Sequence, residues 1–427
     1  MDTYTILGRN RLEGSVNIRG SKNAALAVMS GVLLVKGAVH LINVPDVSDT
    51  RAKARLLEKF GVKVNWCEDE VLFDCSEIVA GEADEAIVRS IRTSFYMLGP
   101  LLARIGKVHL PSPGGCKIGA RPVDFHLRGL ERLGAKIELI GGVYHAEVDR
   151  LKGTEIYFDF PSAGATQHLM TASTLAEGIT VIDNAAMEPE VTVLADFLNT
   201  HGAKIEGAGS SKITIQGVKE LHGGKFRIPA DRLQAGTYLI AGAITDGDVT
   251  VNGILPEHQT ALIKKLAEAN LEISEGPDWV RVRGRGRIDP IKVMTMPYPG
   301  FPTDMQQPIS ALLTVANGTS LVEETIYESR IGHVQELNRM GAKIRMEGRS
   351  AIITGVPQLN GAKVEASDLR AGAALVLAGL AAEGVTEVSN IHFIKRGYQS
   401  LVDQLKLIGA QIEEVPSISR QEDVSLH

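Results

Sequence analysis

Two patterns of apolar and polar positions recur along the chain, and each predicts a helix passing into a strand. In the first, an amphipathic helix end meets Gly-Ala-Lys or a close variant and then an alternating strand. It is read at 57–64, 130–137, 197–205, 266–273, 337–344 and 405–412. The turn residues are Gly61, Gly134, Gly202, Asn270, Gly341 and Gly409, spaced 68 to 73 residues apart. Asn is the usual substitute for Gly at a left-handed helix C-cap, so the fourth copy is predicted to keep the same turn.

The second pattern is an Ala/Leu-rich helix, a Gly and a β-branched strand. It spans 24–41, 93–110, 164–182, 235–251, 307–322 and 371–388, broken at Gly37, Gly106, Gly178, Gly247, Gly318 and Gly384. The stretch 371–380 is apolar nearly all round, which predicts a helix buried on most of its surface. The first-pattern helices carry more charge and are predicted to lie outside. Six copies of strand–helix–strand–helix–strand–strand account for the whole chain. One copy is too small for a strong core of its own. The expected architecture is therefore α/β, with buried helices surrounded by sheets, three copies in each of two domains. The boundary is expected near residue 229, in the segment 223–229.

Composition narrows the function classes. At 427 residues with 44% hydrophobic and 22% charged residues, the chain reads as an ordinary multidomain globular protein. A net charge of −6 disfavours nucleic acid and favours a small ligand. Three cysteines (Cys67, Cys75 and Cys116) have no framework spacing, which fits a reducing compartment. The start has neither a basic nor an apolar leader region, and apolar runs reach only about 12 residues against the roughly 20 of a membrane span. A cytoplasmic chain with no membrane partner is expected.

Candidate chemistry gathers at a loop and at the helix starts. The loop 111–124 holds Gly114, Gly115 and Gly119, and Pro122 suits the first turn of a following helix. It places Cys116 between Lys117 and Arg121. A thiol beside fixed positive charge is a competent nucleophile or acid, although a cysteine in a loop is also simply a small apolar residue. The second-pattern helices are preceded by Ser21-Lys22-Asn23, Ile91-Arg92-Thr93, Ser162-Ala163-Gly164, Asp231-Arg232, Thr303-Asp304 and Asp368-Leu369-Arg370. Ser and Asp there read as N-caps. Lys22, Arg92, Arg232 and Arg370 oppose the helix dipole, and a helix start plus a cation is an anion site. This predicts strongly anionic ligands where the helix starts converge. Asp304 reads equally as a cap or a general base. Lys395 and Arg396 read as a solvated turn. The glycine loop lacks the Gly-Lys-Ser/Thr ending of a P-loop, the Arg-rich run 283–287 reads as a hairpin, and Cys67 and Cys75 have no histidine partner for a metal.

These residues also carry a resemblance. Gly-Ser-Lys-Asn-Ala-Ala at 20–25, Pro-Gly-Gly-Cys-Lys-Ile-Gly-Ala-Arg-Pro-Val-Asp at 113–124 and Gly-Phe-Pro-Thr-Asp-Met-Gln at 300–306 resemble the UDP-N-acetylglucosamine 1-carboxyvinyltransferase family of enolpyruvyl transferases. The segments 324–330, 366–370 and 396–398 support the likeness, which covers essentially the whole length. It implies a two-domain inside-out α/β barrel of six βαβαββ repeats, with 21–229 as one domain and 1–20 plus 230–427 as the other. It implies transfer of the enolpyruvyl group of phosphoenolpyruvate to a UDP-N-acetylglucosamine hydroxyl, in peptidoglycan synthesis, with the site between the domains and no metal or other cofactor.

By the same likeness Lys22, Asn23, Arg121, Arg330 and Arg396 hold phosphoenolpyruvate. Arg92, Arg121, Pro122, Val123, Asp124, Phe125, Ser162, Ala163, Gly164, Asp304 and Ile326 line the sugar-nucleotide site. Cys116 protonates the enol and can carry a covalent adduct. Asp304 is the base, and Asp231, Glu328, Asp368 and Arg370 support the reacting centre. The segment 46–51 departs from the family pattern. The competing readings are a 5-enolpyruvylshikimate-3-phosphate synthase-like transferase and a non-catalytic sugar-nucleotide-binding paralogue.

Overall fold

In the computed structural model, which describes residues 2–114 and 123–416, the strands form six sheets. Among the described residues, five sheets have four strands and one has three. Each four-stranded sheet combines one parallel pair with antiparallel neighbours. In one of them, Leu221–Arg227 lies parallel to Val35–Ile42, which pairs antiparallel with Glu70–Asp74, followed by Lys63–Cys67.

The second-pattern helices occupy the interior. They are Lys22–Gly31, Leu98–Ile105, Ala163–Ser173, Arg232–Ile244, Gln306–Leu313 and Leu369–Ala381. Every residue of Arg232–Ile244 is buried, because Ala and Gly positions let neighbouring helices approach on all sides. The first-pattern helices bury one face only; Asp124–Arg132 buries His126, Gly129 and Leu130 and exposes the rest in part or fully. The buried apolar side chains fall into two cores. One runs from Ala24 to Ile228; the other combines Tyr4–Val16 with Leu233–Ile412. Three sheets surround three central helices in each.

The six turn residues all take positive φ, from 71° at Asn270 to 106° at Gly202. The second pattern departs from expectation in its fourth copy. There Asp246 takes the positive φ of 50° and Gly247 does not. Gly247 is needed for space instead: a Cβ there would lie 2.2 Å from the carbonyl oxygen of Leu12.

That contact belongs to a larger departure. The repeats are not six contiguous units. Thr3–Leu7 inserts between Val385–Ser389 and Gln411–Val415, completing the sheet of the sixth copy. Glu13–Asn17 lies parallel to Asp248–Asn252 of the fourth copy. Leu221–Arg227 crosses back to the first copy. The Arg-rich run 283–287, expected as a hairpin, is the end of the strand Trp279–Arg283 and the loop after it, with Arg285 paired to Glu272 and Arg287 to Asp289.

Candidate active site

The starts of the buried helices are fixed first by ordinary capping. Ser21 Oγ accepts the amide of Ala24, and Ser162 Oγ that of Ala165, both at 3.3 Å. Asp231 Oδ1 accepts from Leu233 and Gln234, and Asp368 Oδ1 from Arg370 and Ala371. Asp304 is different. It sits in the 3₁₀ turn Thr303–Met305, which has no side-chain cap.

Both Asp304 oxygens face arginines. Oδ1 lies 2.7 Å from an Arg330 terminal nitrogen, and Oδ2 accepts from Arg370 Nε and a terminal nitrogen at 3.2 Å each. Arg330 and Arg370 are 4% and 2% exposed, so each depends on a paired carboxylate. Burial opposes their charge, but Asp304 and Asp368 around Arg330, and Tyr398, Asp304 and Asp231 around Arg370, outweigh it and hold both pKa values up. Arg370 also donates to Tyr398 Oη at 2.8 Å, which meets Thr237 Oγ1 at 2.8 Å. Arg330 donates to Thr303 Oγ1, which donates to Glu324 Oε2. Glu324 Oε1 in turn accepts the backbone amides of Ile326 and Tyr327, at 2.8 and 3.0 Å, and so positions the Ile326 turn. Gln307 Nε2 ties Asp368 to the same group at 3.2 Å.

A second cluster joins the two cores. Lys22 Nζ lies 3.2 Å from Asp49 Oδ2, and Arg396 Nε lies 2.9 Å from Asp49 Oδ1. Arg396 also donates to the Ser90 carbonyl, and the Lys22 amide donates to Asp231 Oδ2. Arg396, expected on local pattern as a solvated turn, thus bridges to a carboxylate 347 residues away. Asn23 is half-buried beside Lys22. Arg232 is held by both oxygens of Glu190, at 3.0 and 3.1 Å. Lys22, Arg232 and Arg370 are therefore each answered by a carboxylate of the chain itself.

Asp49 and Glu190 were missed by sequence reasoning. Asp49 lies within the departing segment 46–51, on the first turn of helix Ser48–Glu58. In the same segment Arg51 is turned away, pairing with Asp46 and lying 3.8 Å over the Trp66 ring.

A third group surrounds the start of helix Ala163–Ser173. Tyr96 Oη packs against Gly164, where a Cβ would lie 2.4 Å from it. Arg92 opens the 3₁₀ helix Arg92–Met97, and Lys53, four residues after Asp49, donates to the Thr93 carbonyl at 2.7 Å. Val123 and Phe125 are half-buried, and Asp124 is exposed, 3.5 Å from Arg128. Phe125 packs on Phe158 with ring centres 5.6 Å apart. Glu328 is exposed on the turn ahead of Arg330. Cys116, Lys117, Arg121 and Pro122 lie outside the described residues. Among the described residues no group of three His, Cys, Asp or Glu side chains has the spacing to hold a metal ion, and no helix is long and apolar enough to cross a membrane.

Comparison with known proteins bears on what this geometry does. Residues 6–405 match the family model for EPSP synthase (3-phosphoshikimate 1-carboxyvinyltransferase). The chain is 51% identical to UDP-N-acetylglucosamine 1-carboxyvinyltransferase 2 of Carboxydothermus hydrogenoformans, over 97% of this chain and 100% of that one. It is 47% identical to the UDP-N-acetylglucosamine 1-carboxyvinyltransferase of Halothermothrix orenii, with the same coverage. Among solved structures, the enolpyruvyl transferase NikO of Streptomyces tendae superposes with a TM-score of 0.88 at 25% identity, covering 98% of this chain and 99% of that one. EPSP synthase of Acinetobacter baumannii, at 20% identity and a TM-score of 0.75 over 97% of this chain and 100% of that one, shares the fold.

Proposed function

The chain belongs to the UDP-N-acetylglucosamine 1-carboxyvinyltransferase family of enolpyruvyl transferases, and from that premise we propose how its own residues carry the reaction. The enzyme moves the enolpyruvyl group of phosphoenolpyruvate onto the 3′-hydroxyl of UDP-N-acetylglucosamine and releases phosphate, the first committed step of peptidoglycan synthesis. The reaction is an addition followed by an elimination. The hydroxyl oxygen bonds to C2 of the enol while C3 gains a proton, giving a tetrahedral ketal. Loss of a C3 proton and of phosphate then restores the double bond.

Phosphoenolpyruvate carries a phosphate and a carboxylate, and needs converging cations. Lys22 and Arg396, both held on Asp49, meet that need, with Asn23 beside them and Arg121 from the loop. Asp49 offsets one of the two positive charges and keeps both cations close, so the cluster stays net positive toward an arriving phosphate. Arg330 bonds Asp304 and Thr303, and reaches substrate anions by releasing one of them. This reading needs no metal, because guanidinium and ammonium groups stabilise the developing charge.

Asp304 is the proton acceptor for the 3′-hydroxyl. To act, it must exchange one guanidinium contact for the hydroxyl. Cys116 is the acid toward C3. Asp231, Asp368 and Arg370 hold the surrounding helix starts and Asp304 itself. Arg92, Ser162–Gly164, Val123–Phe125 and Ile326 form the sugar-nucleotide side.

The observation that carries the reading is the joining of Lys22, Asp49 and Arg396 across two cores in a chain 51% identical to a named relative over nearly its full length. The test is phosphate release from phosphoenolpyruvate. Release that requires UDP-N-acetylglucosamine and is not supported by shikimate 3-phosphate is expected. Release with shikimate 3-phosphate alone, or tight sugar-nucleotide binding with no release at all, would overturn it.

A further inference from the structure

Two buried histidines beside the third group have no role in the mechanism above. His168 Nε2 accepts the backbone amide of Gly99 at 2.7 Å, and the Nδ1 atoms of His168 and His126 face each other at 2.9 Å. These contacts fix the protons. An amide can only donate, so His168 Nε2 is bare, and its proton sits on Nδ1. That proton points at His126 Nδ1, which must accept. His126 therefore carries its own proton on Nε2.

The arrangement is built into the backbone. Residue 99 is glycine, and a Cβ there would lie 2.8 Å from His168 Nε2. Phe95 packs edge-on against both rings, and Tyr96 lies over both. Charge is kept out. Burial, with Arg92 nearby, lowers the His126 pKa to about 3. Burial, with His126 and Lys53, holds His168 well below its ordinary value.

His126 Nε2–H is thus the pair's one donor without a partner among the described residues, on a side chain only 7% exposed. Its surroundings indicate an acceptor. Arg92 is close enough to oppose its protonation. Tyr96, stacked over the pair, places its hydroxyl against Gly164 at the start of the eleven-residue helix Ala163–Ser173, whose first-turn amides have no carbonyl partner within the helix.

We propose that His126 is a further ligand of the sugar nucleotide, donating Nε2–H to a diphosphate oxygen, and that His168 is a positioning residue that fixes this tautomer. The proposal rests on the functional reading above. A neutral donor beside Arg92 suits a bound anion, because it adds a hydrogen bond without adding charge.

The test uses the full chain. Long-range ¹H–¹⁵N spectra of the histidine rings are expected to show bare Nδ1 and protonated Nε2 at His126, the reverse at His168, and a shift of His126 Nε2 when UDP-N-acetylglucosamine is added. By calorimetry, His126→Phe and His168→Leu are each expected to weaken sugar-nucleotide binding by about tenfold, as loss of a hydrogen bond to a charged group would, with the KM for phosphoenolpyruvate unchanged. His168→Gln, whose side chain can accept from Gly99 and donate to His126, is expected to restore binding. A proton on His126 Nδ1, unchanged affinity in His126→Phe, or no difference between His168→Gln and His168→Leu would overturn the proposal. If His168→Leu does not fold, the spectra of the unaltered chain decide. Absence of sugar-nucleotide binding to the unaltered chain would overturn the functional reading itself, whereas binding with no shift at His126 would overturn this proposal alone.

Discussion

Arg396 and Asp49 lie 347 residues apart in sequence and 2.9 Å apart in space, and the other oxygen of the same carboxylate holds Lys22. Arg396 lies within the sixth copy, between the strands Val385–Ser389 and Gln411–Val415 of one core, while Asp49 and Lys22 belong to the other. The Asp49 carboxylate keeps two cations close that would otherwise repel. Replacing Asp49 with Ala leaves them unbalanced and free to separate. The expected result is a rise of about tenfold in the KM for phosphoenolpyruvate, roughly 1.4 kcal/mol, with UDP-N-acetylglucosamine affinity nearly unchanged. Steady-state kinetics in both substrates check this. Equal losses for both substrates would remove Asp49 from the phosphoenolpyruvate side.

Asp304 carries two burdens, and different substitutions separate them. Asp304→Ala removes the partner of two buried guanidiniums, so a stability loss of about 3–5 kcal/mol is expected along with loss of turnover. Asp304→Asn keeps a carbonyl oxygen toward the arginines but cannot accept a proton as a base. It is expected to fold with a smaller stability loss, to bind UDP-N-acetylglucosamine, and to release phosphate at least about a hundredfold more slowly. Denaturant unfolding and a phosphate assay on both variants check this. An active Asp304→Asn enzyme would remove the base assignment.

Much of this architecture is legible in the sequence because its signals are local. A Gly or Asn after a helix end specifies a left-handed turn by itself, and all six occur where the spacing puts them. A helix apolar on every side, such as 371–380, has only the interior to go to. The departures arise where a partner lies far along the chain. The alternating Thr3–Leu7 reads as a strand, with Tyr4 and Ile6 buried, but nothing in it specifies Val385–Ser389 and Gln411–Val415 as its neighbours. Asp49 looks like any first-turn acid until Lys22 and Arg396 are seen around it. The His126–His168 pair carries no sequence signal, because its tautomers depend on an amide 69 residues from His168.

Lys53 links stability to pH. It is fully buried, its Nζ donates to the Thr93 carbonyl, and burial holds its pKa well below the ordinary lysine value. The unfolded chain therefore binds a proton at Lys53 that the folded chain resists. Stability from this group is complete only above the ordinary lysine pKa of about 10.4 and falls as pH drops toward the folded value. Lys53→Met, of similar volume, removes that dependence. The unfolding free energy of the unaltered chain relative to Lys53→Met is expected to rise between about pH 7 and pH 10. Denaturant titrations of both proteins across that range check it. A difference independent of pH would show that Lys53 keeps an ordinary pKa.

Cys116 carries the last prediction, because its assigned chemistry can be read apart from turnover. Its neighbours Lys117 and Arg121 favour the thiolate, and a thiolate attacks an epoxide. Fosfomycin joins an epoxide to a phosphonate, which the cations proposed for phosphoenolpyruvate, Lys22 and Arg396, would also hold. Attack by the Cys116 sulfur opens the ring: a carbon–sulfur bond forms, a carbon–oxygen bond breaks, and the oxygen takes up a proton as a hydroxyl, so the whole inhibitor mass is added. Intact-mass analysis is expected to show one adduct on the unaltered chain and none on Cys116→Ser. Cys116→Ser should also lower turnover by roughly a hundredfold or more, as loss of a general acid would. Alkylation should slow when phosphoenolpyruvate is present, because both compounds seek the same cations. Cys67 is exposed but has no phosphonate-binding cluster assigned to it, and Cys75 is buried with its thiol pushed up to about 12, so neither should react at the same rate. Labelling of Cys67 in place of Cys116, or a rate unaffected by phosphoenolpyruvate, would separate the thiol from the anion site.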